Sequence, residues 1–231
     1  MVSRFVARSG IAVCLVSEVI GWQPDYIYQV GVGMNPQEID VFLDAWPEVH
    51  IDGFEAHPEI YKAIKPTYRG NLANLALGNQ EGTVDLFVPP RHKDGSSVYA
   101  LSQEGCKHLK VPMSTLDAQY PKGPASMHSL LWLDCEGSEL AVLQGGEDFL
   151  KNIEVVNVEL TMSPQSDSWC SPVDVHRFLL DHGFVLQWIH TQRISAGQND
   201  GIYVRPYIFK PQFCSCFCAV ENKTCNVKSC T

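Results

Sequence analysis

The sequence lacks an excess of basic residues. Its 231 residues include 17 Lys and Arg against 26 Asp and Glu, which gives a formal net charge of −9 at pH 7. Proteins that bind nucleic acid usually carry a basic stripe that contacts the phosphates. Because the few cations are scattered along this chain, we expect no nucleic-acid partner. With 45% hydrophobic residues, the chain can bury a sizeable core.

A long uninterrupted apolar run is also lacking. Residues 5–20 are rich in apolar side chains, but Arg8 and Glu18 interrupt them. The clean run at 11–16 is far shorter than the ~20 residues that span a bilayer. We therefore expect no membrane anchor and predict a helical extension over residues 1–27. A secretory signal would need a longer apolar region and a cleavage site, so we expect a cytoplasmic protein, with a secreted or luminal location left open.

Standard zinc-binding spacing is lacking as well, although the chain has 9 cysteines. Five of them lie in the C-terminal segment with the spacing C-x-C-x-C-x6-C-x4-C, which differs from the paired C-x2–4-C of zinc modules. Three interpretations of this cysteine-rich tail, residues 207–231, stay open: an irregular metal site, a disulfide-linked tail, or a flexible appendage with reactive thiols. The dispersed cysteines are expected to be free thiols, largely buried.

Strand-like and helix-like patterns alternate along the rest of the chain, which favours a doubly wound α/β sheet. Residues 72–77 and 83–88 are predicted as two strands around a turn, and the first of these supplies the third strand of the sheet. Helices are predicted to begin at Pro36, Pro58 and Pro172. The polar segment 91–110 is too long for a passive connection, and we predict a lid or acceptor-recognition loop there.

The most informative stretch is LLWLDCEGSEL, residues 130–140, in which an apolar strand ends in three carboxylates. Ligands of open α/β sheets bind in the crevice outside the carboxyl ends of the strands, so Asp134 and Glu136 are candidate site residues. Glu159 lies near the end of another predicted strand. Glu139 falls in the first turn of a helix, where an acid is favoured electrostatically and a structural role is expected.

A second site signal is QVGVGMNP, a short strand that runs into Gly31 and Gly33 and then into a helix start. The acid Glu55 follows Gly33 by 22 positions, at a strand end where a ribose hydroxyl would find an acceptor. The dinucleotide fingerprint requires a third glycine where this chain has Pro36. A ligand with a ribose and no phosphate fits better, and S-adenosylmethionine is the obvious candidate.

These residues carry a resemblance to a known family. The order QVGVG, GFEAHPEIY, NLALGNQEG, STLDAQY, LLWLDCEGSELAVLQGG and EVVNVEL, over roughly residues 28–205, resembles the FkbM family of S-adenosylmethionine-dependent methyltransferases. The most specific block is D-x-E-G-x-E-x3-L-x-G. The resemblance implies a Rossmann-like, doubly wound, mostly parallel sheet of seven strands with helices on both faces, in a methyltransferase domain at 28–206. It also implies that the last two strands run antiparallel to the rest.

The resemblance further implies which residues form the site. The residues implied to bind S-adenosylmethionine are Gln29, Gly31, Gly33, Asn35, Glu55, Ala56, His57, Ala76, Leu77, Asp134 and Cys135. The candidate catalytic residues are Asp134, Glu136 and Glu159, which would orient the acceptor or remove its proton. No metal is predicted, although carboxylates of this kind suit a divalent ion. For His57, capping of a helix is an equal alternative.

Two functions remain open at this point. The first is an O-methyltransferase acting on a hydroxyl of a small molecule or sugar. The second is a noncatalytic protein that binds an adenosine ligand or works through a metal-binding cysteine-rich tail as an interaction module. Gln29 stands where the family usually has an acid, which favours the second, whereas Glu55 and Asp134 favour the first.

Overall fold

The computed structural model describes residues 21–34, 37–90, 92–101, 104–162, 166–193 and 198–208. Predictions that fall on residues 1–20, on Asn35 and Pro36, and on residues 209–231 lie outside these ranges. Most of the predicted N-terminal extension and of the predicted cysteine-rich tail are therefore not described.

The described residues form ten strands and six α-helices. The strands are β1 (Tyr26–Val30), β2 (His50–Phe54), β3 (Asn71–Ala73), β4 (Ala76–Leu77), β5 (Gly82–Val88), β6 (Lys107–Ser114), β7 (Ser129–Leu133), β8 (Val155–Thr161), β9 (Val185–Arg193) and β10 (Gln198–Val204). The helices are α1 (Gln37–Ala45), α2 (Pro58–Ile64), α3 (Leu116–Gln119), α4 (Glu139–Gln144), α5 (Glu147–Leu150) and α6 (Pro172–Asp181), with short 3-10 turns at Lys93–Gly95 and Pro206–Ile208.

Seven strands form the main sheet in the order β3-β2-β1-β7-β8-β10-β9, and most neighbours pair in parallel. The prediction of a mostly parallel seven-stranded α/β sheet is confirmed. The prediction that both of the last two strands run against the others was wrong. Only β10 does so, because it pairs antiparallel with β8 and with β9. Helix α6 connects β8 to β9 and carries the chain back to the start of the sheet, so β9 runs in the same direction as β8. Only four residues connect β9 to β10, so β10 must run in the opposite direction.

The predicted third strand at 72–77 is divided between two sheets. Its first part, β3, pairs with β2, whereas β4 pairs with β6 in a second sheet of order β4-β6-β5. The break lies at Asn74, whose side-chain amide donates to the carbonyls of Glu55 and Ala56 over 2.8 and 3.1 Å. The two strands predicted around a turn, β4 and β5, are therefore separated by β6.

Part of the segment predicted as a polar loop, 91–110, belongs to β6, which begins at Lys107. Lys107, His108 and Lys110 are exposed, while Val111 and Met113 are buried. An antiparallel strand with one solvated face carries many polar residues, and this explains why its first half resembled a loop.

Side-chain alternation along the main strands divides the core into two layers. On one face of the sheet Ile27 and Trp132 pack with Phe42 of α1, and on the other Leu131 packs with Val142 of α4. The first strand begins at Tyr26, before the QVGVGMNP stretch from which it was predicted. Trp22, within the predicted N-terminal extension, is also buried in the first layer, and its indole Nε1 donates to Glu154.

The local signals for helix ends agree with the structure. Ser171 caps α6 by accepting from the Asp174 N–H, and Pro172 occupies its first turn. The helix closes at His182 and at Gly183, whose φ is +80°. In the described part of the chain, we find no helix with the length and apolar character needed to cross a membrane.

Candidate functional site

Two turns meet at the carboxyl ends of the central strands. The glycine turn, residues 31–34, follows β1, and the acidic turn, residues 134–138, follows β7. The Gly31 N–H donates to the Phe54 carbonyl over 2.9 Å, and the Asp134 N–H donates to the Val30 carbonyl over 3.0 Å. A Cβ on Gly31 would lie 1.8 Å from the Asp134 carbonyl oxygen. The close approach of the two turns therefore requires glycine at position 31.

The Glu55 carboxylate closes the glycine turn onto the end of β2. It is 6% exposed and accepts from the Gly33 N–H over 2.9 Å and from the His57 N–H over 2.7 Å. Burial raises the pKa of Glu55, and these backbone bonds oppose that rise. A carboxylate has about four acceptor positions, more than the backbone N–H groups of His57, Gly33 and Val32 occupy, so Glu55 retains capacity for a ligand hydroxyl.

The residues beside Glu55 are placed as α2 begins. His57 is the N-cap of α2, and its Nδ1 accepts from the Glu59 N–H over 3.1 Å. Burial lowers the pKa of His57 and so favours the neutral ring. The alternative of a capping histidine is therefore realised, while contact of His57 or of half-buried Ala56 with a cofactor stays a prediction.

The Gln29 side chain forms its hydrogen bonds with residues outside the two turns. Its side-chain amide is fully buried, donates to Glu38 on α1 over 2.8 Å, and accepts from the Tyr68 hydroxyl over 3.0 Å. Both ends of the amide thus tie β1 to its surroundings. Ala76 and Leu77 are also buried, on β4 of the smaller sheet. Their contacts with a cofactor, and that of Gln29, stay predictions, and Asn35 lies outside the described residues.

Three carboxylates converge beside the glycine turn. One oxygen from each of Asp134, Glu136 and Glu159, the acid cluster, lies within 4.8 Å of the other two. Leu133 pairs with Val158 in the parallel register of β7 and β8, so the residues that follow them are neighbours. The three predicted catalytic residues are thus brought together, although their role stays a prediction. The cluster can accept hydrogen bonds, take up a proton or ligate a hard cation.

Glu136 reaches this cluster from a left-handed backbone, with φ +50°. Such a conformation in a residue other than glycine costs about 1–3 kcal/mol and persists where the surroundings enforce it. The next residue, Gly137, has φ +93°, and a Cβ there would lie 2.3 Å from the Trp169 ring. The acidic turn is therefore a tight and strongly constrained loop.

Glu139 fixes the acidic turn from inside. It is 3% exposed, and one oxygen accepts from the backbone N–H groups of Cys135 and Gly137 over 3.1 and 3.2 Å. The other oxygen accepts from the Cys170 thiol over 3.3 Å. Burial raises the pKa of Glu139. The structural role expected for Glu139 agrees with these contacts.

Cys135 lies in the acidic turn itself. Burial raises the pKa of its thiol well above the ordinary value, and the neighbouring Glu139 adds to that rise. The thiolate is the nucleophilic form of cysteine, so this side chain is unsuited to nucleophilic catalysis. The structure places its backbone, rather than a reactive sulfur, beside the candidate site.

Sequence reasoning missed two residues that bridge the turns. They lie in residues 93–99, here called the strap, which is part of the segment predicted as a lid. Asp94 Oδ1 accepts from the Met34 N–H over 2.7 Å, and the Ser97 hydroxyl donates to the Glu136 carbonyl over 2.7 Å. The run Asp-Gly-Ser-Ser signalled a polar loop, but the backbone atoms that these side chains contact are set by the tertiary fold.

Solved structures of other proteins share this fold. Magnesium protoporphyrin IX methyltransferase from Synechocystis PCC 6803 with bound SAM has a TM-score of 0.50 at 9% identity, over 87% of this chain and 80% of that chain. A putative rRNA-methylase from Clostridium thermocellum also has a TM-score of 0.50, at 7% identity, over 88% of this chain and 97% of that chain. At such low identity the similarity shows the fold alone, and it agrees with the Rossmann-like methyltransferase fold implied by the sequence. No curated protein matches the chain in sequence.

The sequence profile of the methyltransferase FkbM domain matches residues 32–186, more than half of the chain. The match includes Gly33, Glu55 and the whole acid cluster. The protein therefore belongs to the FkbM family of methyltransferases, whose cofactor is S-adenosylmethionine.

Proposed function

We propose that this methyltransferase transfers the methyl group to a hydroxyl oxygen of a small molecule or sugar. The observation that carries this proposal is the position of the acid cluster directly beside the glycine turn. A hydroxyl must lose its proton as it accepts a methyl group, and a carboxylate is a suitable general base. The cluster supplies three carboxylates at the required edge of the sheet.

The residues of the glycine turn fit the cofactor. A Cβ placed on Gly33 would meet only the Asp94 carboxylate, with Oδ1 at 3.6 Å, so there is space for a ligand beside this glycine. Glu55 lies next to it with acceptor capacity for ribose hydroxyls. S-adenosylmethionine supplies an activated methyl group on a positively charged sulfonium, and carboxylates close to the turn favour such a cation electrostatically.

Each member of the acid cluster has its own proposed role. Asp134, at the strand end in contact with Gly31, orients the cofactor or the acceptor. Glu136 and Glu159 bind the acceptor hydroxyl, and one of them removes its proton. Three carboxylates within 4.8 Å repel each other, so a ligand that donates hydrogen bonds relieves this repulsion. A polyhydroxylated acceptor has this property, whereas an anionic acceptor would be repelled.

Calorimetric titration with S-adenosylhomocysteine tests the cofactor site. The wild type is expected to bind, and Glu55→Gln is expected to weaken binding at least about tenfold, because a hydrogen bond to a charged group is lost. Asp52→Asn is the matched control. Asp52 is also an acid on β2 that accepts side-chain hydrogen bonds, from Tyr26 and Tyr120, and its substitution is expected to preserve affinity.

Methyl transfer to a panel of hydroxylated acceptors tests the reaction. We expect Asp134→Asn to lower turnover at least a hundredfold, since positioning and proton removal both contribute to the rate of methyl transfer. Absence of S-adenosylhomocysteine binding by the wild type would refute the proposal. Binding without turnover of any acceptor would instead support the noncatalytic alternative, for which the buried amide of Gln29 is the relevant observation.

A further inference from the structure

The strap connects the two turns of the candidate site. Asp94 accepts from the backbone of the glycine turn, and Ser97 donates to the backbone of the acidic turn. Ser97 also pairs with Phe87 of β5 through both of its backbone groups, with N···O distances of 3.1 and 2.8 Å. The strap is thus fixed to the smaller sheet at the point where it contacts the acidic turn.

The Ser97 hydroxyl is a fixed donor. Ser97 is 1% exposed, and its Oγ accepts from the Tyr99 N–H over 3.1 Å while it donates to the Glu136 carbonyl. Both hydrogen-bonding functions of the hydroxyl therefore have defined partners. A group held in this way keeps its direction during a reaction and needs no reorganisation.

The acceptor of this bond belongs to the strained residue of the acid cluster. Glu136 has φ +50°, a conformation that relaxes unless other contacts hold it. Glu139 binds the N–H groups on either side of Glu136, at Cys135 and Gly137, and Ser97 binds the Glu136 carbonyl itself. Without the Ser97 bond, Glu139 alone holds the peptide that follows Glu136, through its Gly137 N–H, so the Glu136 carboxylate is fixed less firmly relative to Asp134.

We infer that Ser97 is a positioning residue that holds Glu136 in the acid cluster through its bond to the Glu136 carbonyl. This inference rests on the proposed function, since it assigns to Ser97 an effect on the methyl-transfer step. The bond fixes the acidic turn, whereas the contacts of Glu55 fix the glycine turn, so its loss should affect turnover rather than cofactor affinity.

A double-mutant cycle with Glu136→Gln tests the inference, using the acceptor found in the hydroxylated panel. Ser97→Ala is expected to lower kcat about tenfold, the effect of one lost hydrogen bond, with KM for S-adenosylmethionine changed less than about twofold. In the Glu136→Gln background the same substitution should lower kcat less than about twofold, because residues that act as a unit are non-additive. An unchanged kcat in Ser97→Ala, or equal effects in both backgrounds, would overturn the inference.

Ser126→Ala is the matched control. The Ser126 hydroxyl likewise donates to a distant oxygen, Asp25 Oδ2 at 2.8 Å, and accepts from the N–H two residues ahead, that of His128 at 3.1 Å. It precedes β7, at the opposite end of this strand from the acidic turn. Its substitution is expected to leave kcat unchanged.

Hydrogen exchange separates failure of this inference from failure of the proposed function. The experiment uses the full chain with bound S-adenosylhomocysteine. The amide hydrogens of Cys135 and Gly137 should exchange about tenfold faster in Ser97→Ala than in Ser126→Ala. If no acceptor is turned over by the wild type, the proposed function fails, and equal exchange rates in the two variants would then overturn the positioning role as well. Faster exchange only in Ser97→Ala would preserve it.

Discussion

The glycine turn and the acidic turn are built on the same plan but present different groups. Each follows a buried strand of the main sheet, and each is held by a buried glutamate that accepts backbone N–H bonds. Glu55 does so for the glycine turn and Glu139 for the acidic turn. The glycine turn leaves space beside Gly33, whereas the acidic turn presents carboxylates. A buried glutamate beside a turn is thus a means of fixing that turn, and its presence alone does not identify a ligand site.

The largest expected loss of stability comes from a substitution at the contact between the two turns. Gly31→Ala places a Cβ 1.8 Å from the Asp134 carbonyl oxygen at φ +82°, and overpacking plus left-handed strain should lower the free energy of unfolding by about 3 kcal/mol or more. Gly105→Ala has the same φ with its nearest neighbour, Pro90, at 3.9 Å. It should lose only about 1–2 kcal/mol, as measured by urea denaturation. Equal losses would show that the turns can separate.

The second glycine of each turn distinguishes packing from ligand access. Gly137→Ala forces a Cβ to 2.3 Å from the Trp169 ring, and we expect a loss of about 2–3 kcal/mol in the free energy of unfolding. Gly33→Ala meets an atom only at 3.6 Å and should lose about 1 kcal/mol through its φ of +72°. Only Gly33→Ala is expected to weaken S-adenosylhomocysteine binding in calorimetry. The reverse order of stabilities would contradict this distinction.

Removal of the charge from each glutamate sharpens the comparison further. Glu139→Gln keeps the size of the side chain and should lower the free energy of unfolding by about 1–2 kcal/mol, because bonds to the Cys135 and Gly137 N–H groups weaken. Its affinity for S-adenosylhomocysteine should change less than threefold, since its oxygens contact its own turn and Cys170. Glu55→Gln should have a similar effect on stability together with a large effect on binding. A large loss of affinity in Glu139→Gln would contradict the assignment of the cofactor contacts to the glycine turn.

The smallest expected effect is a dependence on pH. Burial raises the pKa of both Glu55 and Glu139 above the ordinary value of 4.5. Each protonated carboxyl therefore contributes stability that is fully present below the pKa of the unfolded chain and is lost as pH rises through the higher folded pKa. The decrease in the free energy of unfolding caused by Glu55→Gln or Glu139→Gln, measured by urea denaturation, should be greater at pH 4.5 than at pH 7. A greater cost at pH 7 would mean that the backbone hydrogen bonds outweigh burial.

The sequence was sufficient to predict the acid cluster because its members lie at or just beyond the carboxyl ends of two buried strands. Asp134 and Glu159 lie at the ends of neighbouring parallel strands, so their proximity follows from strand order once the sheet is known. The sequence also predicted Glu55 near Gly33 from their spacing, and the 2.9 Å bond between them agrees. Local patterns succeed here because strand ends of a parallel sheet collect at one edge.

Other features depend on contacts that no local pattern encodes. The division of the predicted strand at 72–77 follows from the bonds of Asn74 to the end of β2. The buried network of Gln29 depends on Glu38 and Tyr68, which approach it only in the folded chain. The strap contacts are likewise made between side chains and distant backbone groups, and these are invisible to hydrophobic periodicity.

The smaller sheet holds the strap independently of the main sheet. The strap leaves β5 and returns through β6, so both of its anchors lie outside the seven strands that carry the glycine turn and the acidic turn. Because loop length has only a weak effect on closure entropy, insertions between these anchors can reshape the mouth of the crevice without disturbing the strands beneath. The seven strands that carry the glycine turn and the acidic turn therefore do not depend on the length of the loop that crosses them.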